Sequence, residues 1–206
     1  MVRRGPGARW RWVQPALFWR RCELRSHSGD KVPQSEPHIL IVDDFLPDAD
    51  RLFAALETGI VWQDRIRKRP TASFGVPFNY SGLTYEAAPM HPLLVPVCDG
   101  IENELGFRPN NCLLNYYKSG SATMGFHVDA TDQLAPGTGV AIVSLGAERS
   151  LTFRNIGDRT LERDYRLRTG SLLFMPNAVQ NEWLHAVRKE PGAGPRISLT
   201  FRQVSA

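Results

Sequence analysis

A histidine and an aspartate one residue apart, His127 and Asp129, are the residues of this chain best spaced to do chemistry together. Side chains at positions i and i+2 of a strand point to the same side, so this imidazole and carboxylate could occupy adjacent positions on one metal ion. The pattern alone is weak, because a surface histidine beside a solvated aspartate has the same spacing. Whether the pattern indicates a metal site therefore depends on the other residues of the chain.

A second histidine, His185, lies 58 residues after His127 on a predicted strand. Two histidines and one carboxylate leave one face of an octahedron open, which is the arrangement of non-haem Fe(II) oxygenases. Zinc also accepts two histidines and a carboxylate. The choice between iron oxygenation and zinc hydrolysis therefore depends on whether the chain also offers a co-substrate site.

The last predicted strand could offer that site. Arg196, Ser198, Thr200 and Arg202 fall on one face of it, and apolar residues form the other. Arginines inside a barrel are costly unless they are paired with anions, and a guanidinium holds a carboxylate through two parallel hydrogen bonds. A dicarboxylate such as 2-oxoglutarate fits this pattern, although an edge strand with solvated arginines would share it.

Two further residues, Asn115 and Tyr117, are again spaced two apart, on the predicted strand that precedes His127. Their side chains would point to one side and could donate hydrogen bonds to the same dicarboxylate.

Residues 61–69 contain a basic cluster formed by Arg65, Arg67, Lys68 and Arg69. The cluster is either a solvated loop or a strip that contacts phosphates beside an active site.

Residues 73–83 are rich in aromatic side chains and glycine. Phe74, Phe78 and Tyr80 have even spacing and would share one side of an extended chain. They either pack in the core or form a platform on which nucleic-acid bases stack.

The elements that must position these residues are mostly strands. Short runs separated by turn signals predict strands at residues 112–118, 139–146, 150–155, 170–175, 182–187 and 196–204. Residues 38–45 predict an earlier strand, and residues 47–58 and 91–106 predict two amphipathic helices. The simplest fold is mainly β, a double-stranded β-helix or jelly roll with N-terminal supporting helices.

Composition limits the class of protein. The 206 residues suit one domain with an appended segment, and no run of about eighteen apolar residues predicts a membrane span. Three scattered cysteines fit a reducing compartment. Seven arginines and one glutamate give residues 1–25 a charge of +6, so residues 26–206 carry −2 of the total of +4. A domain that binds nucleic acid must then use local patches.

Residues 1–36 are predicted to be a basic, poorly ordered N-terminal extension, and residues 37–206 the folded domain. The extension could touch nucleic-acid phosphates, act as an organelle presequence or have no role. We expect an intracellular monomer, cytoplasmic or nuclear, or mitochondrial if residues 1–36 are a presequence.

Together these motifs resemble the AlkB family of Fe(II)/2-oxoglutarate-dependent dioxygenases, over about residues 38–204. The matching features are Asn115 with Tyr117, His127 with Asp129, His185, and the run Arg196–Arg202, in which Ser198 replaces the family's usual asparagine. Residues 78–84, 134–147 and 153–154 are similar to the DNA-repair homologues.

The resemblance implies a role for each matching position. Iron would be bound by His127, Asp129 and His185. The co-substrate 2-oxoglutarate would be held by Asn115, Tyr117, Arg196 and Arg202. The substrate would be contacted by Tyr80, Phe78, Ser81, Arg67 and Arg69, with Tyr80 and His127 on either side of a flipped alkylated base.

The implied reaction is oxidative demethylation of alkylated DNA or RNA. Dioxygen and 2-oxoglutarate give succinate and carbon dioxide, and the hydroxylated methyl group leaves as formaldehyde. Ala130 and Thr131 stand where repair enzymes usually carry an acid, which leaves the choice of base open. Residues 61–70 show no apolar finger, so a single strand is as good a substrate as a duplex. The alternatives are the same chemistry on a protein or small molecule, or a non-catalytic nucleic-acid-binding module.

Overall fold

A computed structural model of the protein describes residues 35–66, 69–80 and 83–205, and their side chains apart from those of residues 80, 83 and 84. The strands in these ranges are β1 Leu40–Val42, β2 Thr71–Gly75, β3 Phe78–Tyr80, β4 Leu83–Tyr85, β5 Asn111–Tyr117, β6 Met124–His127, β7 Gly139–Gly146, β8 Arg149–Asn155, β9 Glu162–Leu167, β10 Leu172–Pro176, β11 Trp183–Val187 and β12 Arg196–Arg202. The helices are α1 Ala49–Gly59 and α2 Val95–Leu105, and short 3-10 helices occupy Pro92–Leu94 and Asn177–Asn181.

Ten of these strands form two antiparallel sheets that face each other. The larger sheet has the order β1-β10-β7-β12-β5-β2, and the smaller has the order β6-β11-β8-β9. Strands β3 and β4 form a separate hairpin. Two facing antiparallel sheets with crossing connections form a jelly roll, so the predicted fold class is confirmed.

Side-chain alternation along the central strands divides the core in two. On β5, Leu114 and Tyr116 join the apolar cluster under helices α1 and α2, whereas Leu113 and Tyr117 join the cluster between the sheets. Strand β12 also turns its apolar residues toward the helices. Its polar residues are therefore left facing the smaller sheet, and they form one wall of a pocket between the sheets.

The two helices hold the larger sheet from outside. Leu56 of α1 is fully buried against it, as the predicted apolar face requires. The helix predicted for residues 91–106 begins regularly only at residue 95, because Pro96 fits best in a first turn. It ends at Gly106, whose φ of +78° is left-handed and favours glycine.

Several elements differ from the prediction. The strand predicted for residues 38–45 is only β1, because the chain turns at Asp43 and Asp44. The strand predicted for residues 139–146 is found with the same ends, and the others shift by one or two residues at one or both ends. Strands β2, β6 and β9 and the hairpin β3–β4 were not among the predicted strands. Strand β9 reads ERDYRL, a polar sheet-edge strand without apolar alternation.

Residues 1–34, and with them most of the predicted N-terminal extension, lie outside the described ranges. Glu36 accepts hydrogen bonds from Arg163 Nε at 2.9 Å and from the Tyr165 hydroxyl at 2.7 Å, so the chain is attached to β9 from this residue on. No helix in the described ranges is long and apolar enough to cross a bilayer.

Candidate functional site

His127, Asp129 and His185 form a cluster at one end of the space between the sheets. Each offers one ligand atom, and the three atoms lie within 4.8 Å of one another. His127 ends β6, and its Cα pairs with that of His185 on the neighbouring strand β11. The two imidazole centroids are 4.2 Å apart. The pairing of β6 with β11 therefore joins two residues that are 58 positions apart in sequence.

The two histidines are held in forms that suit metal binding. His127 Nδ1 lies 2.9 Å from the carbonyl oxygen of Gly125, which can only accept, so Nδ1 carries a proton and Nε2 is the nitrogen that can face a metal ion. Burial lowers the pKa of His185 to about 4, because the desolvation of an imidazolium outweighs the attraction of Asp129. A neutral imidazole is the metal-binding form.

Asp129 lies beyond the end of β6, so a strand does not fix its direction as the sequence spacing suggested. Its backbone N–H donates to Gln180 Oε1 at 3.0 Å, and its Oδ1 accepts from Arg202 Nη2 at 2.9 Å. Burial alone would raise the pKa of Asp129, but Arg202 and the two histidines hold it below its usual value. The carboxylate is therefore ionised and oriented for a cation.

The donor set fits Fe(II). Two imidazole nitrogens and one carboxylate oxygen converge on one point, and a facial set of three ligands leaves room for a bidentate co-substrate and dioxygen. Asp129 and His185 are only 5% and 3% exposed, whereas His127 is half-buried. His127 is thus the ligand closest to solvent, on the side from which a substrate would approach.

The polar face of β12 lines the same pocket with Arg196, Ser198, Thr200 and Arg202, as the alternation predicts. Arg196 Nη2 donates to Ser144 Oγ at 2.9 Å. The Nε and Nη1 atoms of both arginines are buried and have no hydrogen-bond partner among the described residues. Buried guanidinium donors without acceptors are costly, so these four nitrogens fit a bound dianion such as 2-oxoglutarate.

Strand β5 places Asn115 and Tyr117 beside this arginine face. In the sheet register, Tyr117 is opposite Arg196, and Asn115 is opposite Ser198. Both side chains line the pocket, and the Tyr117 ring centroid lies 5.4 Å from the Arg196 guanidinium carbon. The register brings together the four residues predicted to hold the co-substrate.

Phe78, predicted to contact the substrate, is 2% exposed and lies against the guanidinium of Arg202, whose central carbon is 4.3 Å from the ring centroid. Of the two alternatives that the sequence leaves open for this ring, core packing and a stacking platform, its burial favours core packing. Its physical role is to cover the arginine from outside. The side chain of Tyr80, and all of Ser81 and Arg67, lie outside the described part of the structure.

Arg69, predicted as a phosphate contact, is also buried, at 5% exposure. Its Nε donates to Asn115 Oδ1 at 2.7 Å and its Nη1 to the carbonyl oxygen of Thr123 at 3.2 Å. The structure therefore places Arg69 behind the pocket and not on a surface strip. Arg65 of the same segment is exposed, with its guanidinium carbon 5.7 Å from the centroid of the Tyr85 ring.

Sequence reasoning missed three residues that support the site: Gln180, Ser144 and Arg149. Gln180 comes from a 3-10 helix that no spacing rule connects with Asp129. Arg149 could have been predicted from the sequence. It lies two residues before Leu151 on β8, so the two side chains point to the same, buried face of the sheet. It is buried, and it donates to backbone carbonyls of the loops that enter β6 and leave β11.

Comparisons with known proteins agree with this geometry. Residues 72–202 match the model of the 2OG-Fe(II) oxygenase superfamily. The human DNA oxidative demethylase ALKBH2 is 34% identical over 181 residues, which cover 76% of this chain and 69% of that protein. The human alpha-ketoglutarate-dependent dioxygenase alkB homolog 3 is 32% identical over 177 residues, covering 76% of this chain and 62% of the relative. The solved structure of OsALKBH1 superposes with a TM-score of 0.62 at 18% identity, over 82% of this chain and 99% of that one.

Proposed function

The chain belongs to the AlkB family within the 2OG-Fe(II) oxygenase superfamily and is an Fe(II)/2-oxoglutarate-dependent dioxygenase, and we propose that it oxidatively demethylates alkylated bases in nucleic acid. One observation carries the proposal. A three-residue metal cluster and two buried arginines with unused donors line the same pocket. No other described group of histidines, cysteines and acids could hold a metal ion.

Iron and 2-oxoglutarate, when bound, supply the activation of dioxygen that oxidises an N-methyl group, with 2-oxoglutarate leaving as succinate and carbon dioxide. His127, Asp129 and His185 would hold the iron. Arg196, Arg202, Asn115 and Tyr117 would hold 2-oxoglutarate, with the arginines neutralising its carboxylates.

The chain's own contribution is placement and exclusion of water. Arg202 donates to the iron-ligand Asp129 and keeps two further donors for the co-substrate, so a single guanidinium sets the metal site and the co-substrate site relative to each other. Phe78 shields this arginine from solvent. A dry, prearranged pocket keeps oxidation directed at the bound substrate.

The substrate assignment rests on two supports. The relatives named above include a DNA oxidative demethylase. The half-buried ligand His127 lies beside the exposed residues Val128 and Ala130, where a flipped base could reach the metal site. In this proposal Tyr80 stacks on the base opposite His127, and Ser81 and Arg67 contact its nucleotide. Neither Val128 nor Ala130 is acidic, and the next acid along the chain is the exposed Asp132.

The proposed substrates include both single-stranded and duplex nucleic acid. Val61, in the segment that precedes the basic cluster, is 86% exposed, and an apolar side chain at such a position can contact an unstacked base.

We also propose that the protein acts as a monomer inside the cell. Cys98 and Cys112 are free thiols, as expected in a reducing compartment.

The first experiment is anaerobic reconstitution with Fe(II) and 2-oxoglutarate. Chelation of 2-oxoglutarate to iron is expected to give a weak visible absorption band that fades when oxygen is admitted. A panel of oligonucleotides with one methylated base each, single-stranded and duplex, is then assayed for formaldehyde. Formaldehyde release from at least one of them supports the proposal. If the protein consumes 2-oxoglutarate but no oligonucleotide changes the rate, the substrate is instead a protein or a small molecule.

A further inference from the structure

The segment that carries Arg69 is locked to β5 by its backbone. The carbonyl oxygen of Pro70 accepts a hydrogen bond from the Tyr116 N–H at 2.9 Å, and Thr71 pairs with Asn115 in the sheet. Thr71 also exchanges two backbone hydrogen bonds with Gln63. Arg69 therefore starts from a fixed position next to the two β5 residues that face the co-substrate pocket.

The side chain of Arg69 reaches behind Asn115 and does not form part of the pocket wall in the described structure. Its Nε donates to Asn115 Oδ1 at 2.7 Å. Its guanidinium carbon lies 5.9 Å from the centroid of the Tyr117 ring. One buried cation is thus hydrogen-bonded to Asn115 and close to the Tyr117 ring, the two β5 side chains that are expected to contact 2-oxoglutarate.

A guanidinium has donors only, which determines the orientation of its partner. An amide group next to Arg69 must turn its oxygen toward the arginine, so Asn115 Nδ2 is turned away from it. An amide rotated by 180° would set two donors against each other. Since Asn115 lines the pocket, the group available there is an N–H donor, which is what a carboxylate needs.

The second bond of Arg69 extends this effect to the metal site. Nη1 donates to the carbonyl oxygen of Thr123, the residue directly before β6, and β6 ends at the metal ligand His127. One side chain thus connects β5, which carries Asn115, with the strand that carries the first histidine. A lysine could reach one of these two acceptors but could not span both with a planar fork.

We infer that Arg69 is a positioning residue of the co-substrate pocket, which holds the Asn115 amide with its N–H₂ group toward 2-oxoglutarate. The inference rests on the co-substrate pocket of the proposed function. It replaces the expectation that Arg69 contacts a substrate phosphate. The two roles differ in what they predict, because a positioning role acts on 2-oxoglutarate through Asn115, whereas a phosphate contact acts on the oligonucleotide.

The test is a double-mutant cycle with Arg69→Gln, Asn115→Ala and the double variant, using full-length Fe(II)-loaded protein without oxygen. The affinity for 2-oxoglutarate is measured by titrating the visible absorption band. The affinity for a methylated oligonucleotide is measured separately by fluorescence anisotropy. Arg69→Lys serves as the conservative variant. Arg51→Gln, which removes an exposed positive charge on α1, is the control for net charge.

We expect Arg69→Gln to weaken 2-oxoglutarate binding roughly tenfold, the effect of losing one oriented hydrogen bond to a charged ligand. In the Asn115→Ala background the same change has little further effect, because the group it orients is gone. Arg69→Lys is intermediate. Oligonucleotide affinity stays unchanged in all of them, and Arg51→Gln behaves as wild type in both titrations.

Two results would overturn the inference. One is full additivity of the two substitutions in 2-oxoglutarate binding, since Arg69 would then act independently of Asn115. The other is weaker oligonucleotide binding with normal 2-oxoglutarate binding in Arg69→Gln, the signature of a substrate contact. Wild-type protein that binds 2-oxoglutarate but acts on no methylated oligonucleotide contradicts the proposed function and leaves the role of Arg69 intact.

Discussion

Strands β5 and β12 form one side of the pocket through seven consecutive residue pairs, from Arg196 opposite Tyr117 to Arg202 opposite Asn111. We call their pocket-facing residues Asn115, Tyr117, Arg196 and Arg202 the co-substrate wall. The hairpin β3–β4 beside it is held by only three pairs. We call this hairpin, together with residues 61–68, Val128 and residues 130–133, the substrate mouth, in line with the proposed function.

The comparison separates two ways of positioning a side chain. On a central strand, the ladder and the packing of both faces fix which way each residue points, and a register slip would expose the core. In a loop or a three-residue strand, direction depends on a few local contacts. The two metal-ligand histidines and the co-substrate wall therefore lie on strands, whereas Asp129 follows β6 in a loop. The proposed substrate residues lie in segments that can change without disturbing the core.

The two regions also differ in charge balance. Arg196 and Arg202 of the co-substrate wall are buried with unused donors, which creates a demand for an anion. In the described part of the substrate mouth, Arg65 is exposed to solvent. Binding of an anion to a buried, unpaired guanidinium changes the free energy of binding strongly, whereas an exposed charge contributes little to that free energy. Substitutions in the co-substrate wall should therefore have larger effects than substitutions in the substrate mouth.

The largest expected effect is that of His127→Ala, which removes a metal ligand and, in the proposed function, one of the two rings that hold the base. Formaldehyde release should fall to the level of a blank without enzyme. Oligonucleotide binding should weaken but persist, since the substrate mouth is intact and only one stacking contact is lost. His38→Ala, which removes an exposed histidine that is not part of the metal cluster, is the control and should retain full activity. Turnover that survives in His127→Ala would exclude it as an essential ligand.

Arg196→Met tests the co-substrate wall. The affinity for 2-oxoglutarate should fall about 100-fold, because a buried charge-assisted pair is lost, with oligonucleotide affinity nearly unchanged. In the absence of 2-oxoglutarate, the melting temperature should stay the same or rise, because a buried guanidinium without a full set of acceptors is removed. Equal losses of both affinities would show that Arg196 contacts the substrate, and the separation of the two regions would fail.

Gln180→Leu tests a residue that belongs to neither region. It removes the acceptor for the Asp129 backbone N–H, and the affinity for Fe(II) should fall roughly tenfold, as is typical when the support of a metal ligand is lost. The measurement is a titration of apo-protein with Fe(II) under anaerobic conditions. Affinity for 2-oxoglutarate at saturating iron should not change. Unaltered iron affinity would mean that the loop after β6 holds Asp129 without this contact.

The smallest effect is expected for Arg67→Gln in the substrate mouth. One lost phosphate contact should weaken oligonucleotide binding a few-fold and reduce the slope of log affinity against log salt by about one. The affinity for 2-oxoglutarate should be that of wild type. A reduced affinity for 2-oxoglutarate in this variant would break the comparison, because the substrate mouth would then contribute to the co-substrate site.

The sequence predicted the fold class and the pocket face of β12 because both depend on local periodicity. It predicted the metal cluster from residue types and the family resemblance, since strand pairing and not spacing joins His127 to His185. The alternation from Arg196 to Arg202 indicates a strand with one polar face wherever that strand lies in the sheet. Strand β9 was not predicted because a polar edge strand is stabilised by its partner β8 and not by its own residues. Arg69 was misplaced because its charge suggested solvent, and only its partners Asn115 and Thr123 explain its burial.

The sequence by itself determined which residues of each strand share a face, and so which residues could act together. The tertiary structure decided which faces meet. The register sets Tyr117 opposite Arg196 and His127 opposite His185, and it allows Gln180 to reach the backbone of Asp129. These pairings join residues far apart in the chain, and they form because the whole sheet buries its apolar face in only one register. No local pattern contains that information.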